Sequence, residues 1–209
     1  MLLPALGKAQ DKAREISCRS NLKQLGLITI MYSMDWEDYV YCVQWGDNRM
    51  YYRGLMDEYG MSPASFFCPA TECAFDMSKA VNAWQQVGLG FNVSTWGSGK
   101  WASERTKQSK ITDMASKGTT SHVLFADGRP DTAQGVIYTD VIQQGTVAAN
   151  VFDINGASGD YDCPLVPRHN KRFNIVCIDG SAHSLSPQEA CNEVKRYFRP
   201  TQKIGRAHV

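Results

Sequence analysis

His169 stands in RHNKRFNIVCIDG, with nine residues between it and the pair Asp179-Gly180. A histidine and an aspartate can form an acid–base pair, or the histidine can anchor a loop by hydrogen bond. Between them lies FNIVCI, an apolar run bounded by a turn signal, which reads as a strand. His169 then sits at one end of that strand and Asp179 in the turn that closes the other, so anchoring is the expected role. Hard oxygen donors also gather in DINGASGDYD, where Asp153, Asn155, Asp160 and Asp162 stand in a glycine-rich stretch. Such donors suit Ca²⁺, but the terminal Glu and spacing of an EF-hand are missing. A solvated loop using Asx turns is the preferred reading, with calcium the alternative.

Seven cysteines, at 18, 42, 68, 73, 163, 177 and 191, are the other reactive side chains. Their abundance favours an oxidising compartment, and their odd number leaves at least one thiol free or intermolecular. CPATEC is compatible with a local Cys68–Cys73 disulfide. No Cys-x-x-Cys pair occurs, which argues against a structural zinc site. Cys18 and Cys177 fall in helix-forming and strand-forming runs, where a small buried thiol is the default. Gly97-Ser-Gly-Lys100 lacks the spacing of a phosphate loop, and no serine sits in a Gly-x-Ser-x-Gly elbow. The expectation is a protein that is not an enzyme.

These residues need elements to position them. Residues 1–34 are rich in strong helix formers, with Pro4 tolerable near the start and Glu15 and Arg19 spaced as a supporting i,i+4 pair. At about 100° per residue, Leu2, Leu6, Ala9, Ala13 and Ile16 gather on one face, with Leu3 beside Leu2. Cys18, Leu22, Leu25, Ile28 and Tyr32 form a second, rotated stripe. Leu27, Ile30 and Met31 add to it, so apolar coverage is nearly complete after residue 21. Such a helix is roughly 50 Å long, more than a small domain covers. Its first half should protrude and its second half should be buried.

Beyond the helix the texture is that of a sheet. Tyr39, Tyr41, Val43 and Trp45 alternate with other residues at strand period, and residues 51–60 read as a short helix before a proline-rich loop. GLGFNVSTWGSGKW reads as strand, turn and strand. SHVLFADGRPDT and FNIVCIDGSAHSL each run into Asp-Gly, which predicts hairpins at Asp127-Gly128 and Asp179-Gly180, with His122 and His183 as ordinary sheet residues. Ser186-Pro187-Gln188-Glu189 carries a capping box and opens a final helix to about Phe198. The fold class is α+β: a long N-terminal helix, 1–34, packed on the antiparallel sheet of a globular domain, 35–209, with a short C-terminal helix. Net charge is +1 with no basic run, which argues against nucleic-acid partners. No run approaches the ~20 apolar residues of a spanning helix.

Taken together these pieces resemble the pseudopilins, proteins with a prepilin-type N-terminal cleavage and methylation segment. LLPALGKAQDKAREISCRSNLKQLGLITIMYSMDWEDYV is similar to the stretch that follows that segment, with Cys18, Asn21, Leu22, Lys23 and Gln24 matching the family's Cys-x-x-Asn-Leu-Lys-Gln. FFCPATEC resembles its Phe-x-Cys-Pro-Ser, with Ala70 in place of serine. His169, Asp179 and Gly180 match a carboxy-terminal signature of His, nine residues, Asp-Gly.

The resemblance implies a structural subunit of a type II secretion or type IV pilus-like fibre. It implies assembly through Leu2, Leu3, Leu6, Ala9, Ala13 and Ile16, with other copies and other pseudopilins as partners. An inner-membrane secretion platform and a prepilin peptidase acting on the precursor complete the set, with no nucleic acid and no cofactor. It also implies an apolar half-helix ahead of Met1 in the inner membrane, and a domain in the periplasm or on an extracellular fibre. Cys18 and Cys68 fall in matched motifs and are expected to pack together, bonded or not, with Cys68–Cys73 as the competing pairing. A different class is a polysaccharide- or surface-binding module that stacks ligand on Trp45, Trp84, Trp96 or Trp101. A hydrolase built on His169 and Asp179 is a third.

Overall fold

The computed structural model describes residues 3–41, 49–71, 87–92, 96, 110–112, 121–128, 136–137 and 165–198. Helix α1 spans Leu3–Asp35, and α2 spans Tyr51–Tyr59. A short 3-10 helix, Pro63–Phe66, begins with the Ser62 hydroxyl accepting from the Ala64 amide. Five strands follow among the described residues: β1 Leu89–Asn92, β2 Val123–Asp127, β3 Val136–Ile137, β4 Phe173–Cys177 and β5 Ala182–Leu185. The chain then enters α3, Pro187–Asn192, and α4, Val194–Tyr197.

The strands form one sheet in the order β3-β1-β2-β4-β5. Four of them pair antiparallel, as expected, and the two-residue β3 joins β1 in parallel. The α+β class is therefore the observed one, with a mixed edge. Asp179-Gly180 turns β4 into β5, with Gly180 at φ 77°, where glycine meets no Cβ penalty. Asp127-Gly128 makes no hairpin. There β2 ends between β1 and β4, the Gly128 amide donates to Gly88 O, and the Gly128 backbone bridges Leu165. The apolar run before Asp127 makes a central strand instead of one arm of a ribbon. At the C-terminal end the expected capping box is present: Glu189 N donates to Ser186 Oγ, and Ser186 N to the Glu189 carboxylate. The helix it opens breaks at Glu193 into two pieces. Tyr39 makes a single bridge to Lys110 where a strand was expected to begin, and residues 42–48 lie outside the described residues.

Helix α1 lies on β2, β4 and β5. Cys18, Leu22, Leu25, Ile28 and Tyr32 are buried along the contact, the stripe that the sequence assigns. Gly26 sets how close the helix comes: a Cβ there would stand 2.8 Å from Val176 Cγ2 of β4. Under the far end, Tyr41, Tyr51, Phe91 and Phe125 form a ring cluster with centroids 5.1–6.2 Å apart. The expected all-round burial after residue 21 does not occur. Leu27, Met31 and Met34 face outward at 60%, 46% and 79% exposure. A helix resting on one face of a sheet buries a stripe, and its opposite side stays outside however apolar it is.

Gly26→Val should lower stability by about 1–3 kcal/mol through overpacking against Val176. Gly7→Ala, where a Cβ meets nothing within 4 Å, should be neutral or favourable by up to about 1 kcal/mol. Urea unfolding of both variants measures the contrast; equal effects would mean that α1 is not seated at Gly26.

Candidate functional site

Four side chains from four separated segments meet between α1 and the sheet: Cys18, Cys68, Asp127 and His169. Their ligand atoms all lie within 4.8 Å of one another, and all four residues are buried. Each is placed by its own local chemistry. Cys18 projects from the sheet-facing stripe of α1. One turn further on, Asn21 donates its amide to Ala64 O and Phe67 O at 3.2 and 2.9 Å. Ser65 Oγ donates to Gln24 at 3.0 Å, so α1 grips the 3-10 segment that leads into Cys68. Asp127 is the last residue of β2. His169 opens a two-residue turn in which His169 and Arg172 exchange backbone hydrogen bonds of 2.9 and 3.0 Å. The central residues, Asn170 and Lys171, sit at φ 51° and 62°, both in the left-handed region that a tight turn with right-handed strand twist requires.

The contacts inside the cluster are short. Cys18 Sγ donates to Asp127 Oδ1 at 3.1 Å, and Cys68 Sγ lies 3.2 Å from His169 Nε2. The same Nε2 is 3.5 Å from Asp127 Oδ2. Asn174 N donates to Asp127 Oδ2 at 2.8 Å, and Arg168 Nη1 stands 3.6 Å from Oδ1. Arg168 is itself held by donating from Nη2 to Gly128 O. Burial and then the neighbouring Cys68 push the Asp127 carboxyl up to about 6, against the pull of Arg168 and His169. The Cys18 thiol is held well above its ordinary value by Cys68, burial and Asp127. Cys68 moves the other way, to about 4, because Cys18 hydrogen-bonds to it and His169 and Arg168 favour the thiolate. Burial draws His169 down, but Cys68 and Asp127 overcome that and leave it raised.

Chemically this is two cysteine sulfurs, a carboxylate and an imidazole brought together in a buried place. Such a set can bind a metal ion or serve as a buried polar lock. It is not laid out as a Cys-His-Asp relay, because one ring nitrogen faces both the thiol and the carboxylate. Cys18 and Cys68 are adjacent as expected, and both are free thiols. His169 anchors the loop before β4, but its partners are Cys68 and Asp127, not Asp179. Asp179 accepts from the Ser181 amide and hydroxyl at the other end of β4. The sequence reading missed Asp127, which it took for a turn residue, and Arg168. The one signal for Asp127 was the apolar VLFA run, which fits a central strand better than a ribbon arm. The absence of Cys-x-x-Cys argued against zinc, yet the fold assembles two sulfurs, a carboxylate and an imidazole from distant positions.

His122 is fully buried beside β2, and His183 lies on β5 within reach of Ser181, 2.9 Å away. Leu6, Ala9, Ala13 and Ile16 are exposed along α1, which begins at Leu3, while Leu2 lies outside the described residues. Asp153, Asn155, Asp160 and Asp162, the calcium candidates, also lie outside them, as does Cys73. No family model, curated protein or solved structure matches this chain.

His169→Ala should cost about 1–3 kcal/mol, above the ~1 kcal/mol of one lost hydrogen bond, because it strands buried partners. Asp127→Ala should cost about 3–5 kcal/mol, since it leaves Arg168 and His169 without their carboxylate. Chemical denaturation monitored by tryptophan fluorescence reads both; an Asp127→Ala cost below that of His169→Ala would remove the carboxylate from the centre of the site.

Proposed function

We propose that this chain is a pseudopilin-like structural subunit that assembles through α1 and carries out no catalysis. One observation carries the reading: an exposed apolar stripe along α1 on the side away from the sheet. At about 100° per residue, Leu6, Ala9, Ala13, Ile16, Leu27, Met31 and Met34 fall within a sector of about 80°. The buried residues Cys18, Leu22, Leu25 and Tyr32 lie centred on the opposite side. Leu6 and Ile16 are 57% and 62% exposed. Ser20, Lys23 and Gln24 interrupt the stripe in the middle turns. The apolar side chains of the stripe are exposed, and exposed apolar surface marks sites of association.

The geometry suits a helix with two jobs on two faces: one holds the domain, the other meets helices of neighbouring subunits. The Cys–Asp–His cluster supports a structural role for the family-like motifs, since all four residues are buried. Secretion or pilus-like fibre assembly, the membrane platform, the processing peptidase and a periplasmic or extracellular place for the domain come with the family reading. So does an apolar anchor preceding α1; among the described residues no helix is long and apolar enough to cross a membrane.

The rival binding module loses one of its four stacking candidates. Trp96 is buried, with its indole N–H donating to Val123 O at 2.8 Å. Trp45, Trp84 and Trp101 lie outside the described residues. The open groove beside the end of α1, lined by Ile30, Met34, Ile111 and Ile178 with Ser33, Glu37 and Asp38, holds no aromatic platform among the described residues.

The test is a pair of charge insertions in the stripe, Leu6→Asp and Met31→Asp. Both should leave stability within about 0.5 kcal/mol, as surface substitutions do. Both should abolish concentration-dependent self-association in sedimentation and block fibre formation in cells. A drop of several kcal/mol for Leu6→Asp would place that residue in a core and sink the assembly reading.

A further inference from the structure

We propose that Cys18, Cys68, Asp127 and His169 bind one thiophilic divalent metal ion, of which Zn²⁺ is the natural occupant, and that this ion pins α1 to the sheet. The inference stands apart from the assembly reading and rests on the cluster alone. Zinc takes four ligands in a tetrahedron, with bonds of about 2.3 Å to sulfur and about 2.0–2.2 Å to nitrogen or oxygen. Those bonds give tetrahedron edges of about 3.3–3.8 Å. The cluster contacts of 3.1, 3.2 and 3.5 Å, within an outer limit of 4.8 Å, lie close to that size.

Donor type and direction agree as well. His169 turns one ring nitrogen toward both Cys68 and Asp127, as a ligand at a shared centre must. Two sulfurs, one nitrogen and one oxygen form a set that zinc accepts and that Mg²⁺ or Ca²⁺ does not favour. With the metal in place, Cys18 and Cys68 both bind as thiolates, and any proton still on sulfur passes to solvent. Two thiolates and a carboxylate then carry three negative charges against two positive ones. Arg168 supplies the balancing charge. Its Nη1 is buried, lies 3.6 Å from Asp127 Oδ1, and has no hydrogen-bond partner there. A guanidinium held by Gly128 O through Nη2, with Nη1 facing a ligand carboxylate, is an outer-shell group that tunes the site. All four ligands are buried and all four positions are filled by protein, which is the pattern of a structural site and not of a catalytic one with an open position.

The experiment uses the whole chain, reduced, chelator-treated and desalted, then titrated with Co²⁺ as a spectroscopic probe. One equivalent should produce the intense visible bands of tetrahedral cobalt with thiolate ligands, and Zn²⁺ should bleach them. Zn²⁺ should also raise the melting temperature of the apo protein. Cys18→Ser and His169→Gln should each lose the bands, whereas Cys177→Ser and a combined Cys42→Ser, Cys73→Ser, Cys163→Ser variant should keep them. Arg168→Gln should keep the band shape and weaken affinity about 10–100-fold. Should Cys18→Ser or His169→Gln fail to fold, the titration of the native chain still decides. Absence of tetrahedral bands from the folded, reduced native chain would overturn the proposal. So would peptide mapping that finds Cys18 and Cys68 disulfide-bonded in the protein as isolated from its native cells, because half-cystines cannot serve as thiolate ligands.

Discussion

The carboxylate of Asp127 is the constraint on which the rest of this structure turns. It is fully buried, and a buried carboxylate is tolerated only when donors and positive charge surround it. Its surroundings are four groups from three places: the Cys18 thiol on α1, the Asn174 amide on β4, and the His169 ring and Arg168 guanidinium in the loop before β4. Each has to arrive before the others are worth having. The helix cannot slide along the sheet without uncovering the carboxylate, and the loop cannot lift without stranding it. The apolar stripe of α1 is buried against the sheet, but apolar packing alone fixes register only loosely; the polar cluster specifies it.

That register gives α1 its division of labour. With Cys18 directed at Asp127 and Gly26 seated against Val176, the orientation of the helix about its own axis is set. The opposite side, with Leu27, Met31 and Met34, then has to point outward, in line with Leu6, Ala9, Ala13 and Ile16 of the first half. A rotation of the helix by a quarter turn would bury part of that line and break the cluster. The surface proposed for assembly and the buried site are two consequences of one orientation. The same fact explains why three short motifs spaced far apart in the chain belong together. Cys-x-x-Asn reaches the 3-10 segment, that segment presents Cys68, and the histidine of the His, nine residues, Asp-Gly signature closes the set.

Much of this was legible beforehand, for reasons that can be named. The helix, its sheet-facing stripe, the capping box at Ser186 and the turn at Asp179-Gly180 all follow from interactions within a few residues, and local chemistry writes those into adjacent positions. The turn at Asp127-Gly128 was misread because Asp-Gly supports a hairpin only when the returning segment pairs with the first. Here β1 and β4 already flank β2, and the run of apolar residues before Asp127 goes to the middle of the sheet. The outward-facing Leu27, Met31 and Met34 were misread because the number of apolar residues on a helix does not say how many sides have something to pack against.

What the sequence determined by itself was therefore everything with a short range: which segments are helical, which stripe of α1 is apolar, where the last hairpin turns, and that Cys18, Cys68 and His169 stand in distinctive local motifs. What only the tertiary structure decided was the company they keep. Asp127 lies 109 residues from Cys18, and Cys68 lies 101 from His169. No periodicity or spacing rule connects positions so far apart. Their meeting is set by the strand order β3-β1-β2-β4-β5 and the seating of α1 on it, which depend on the burial of the whole core at once.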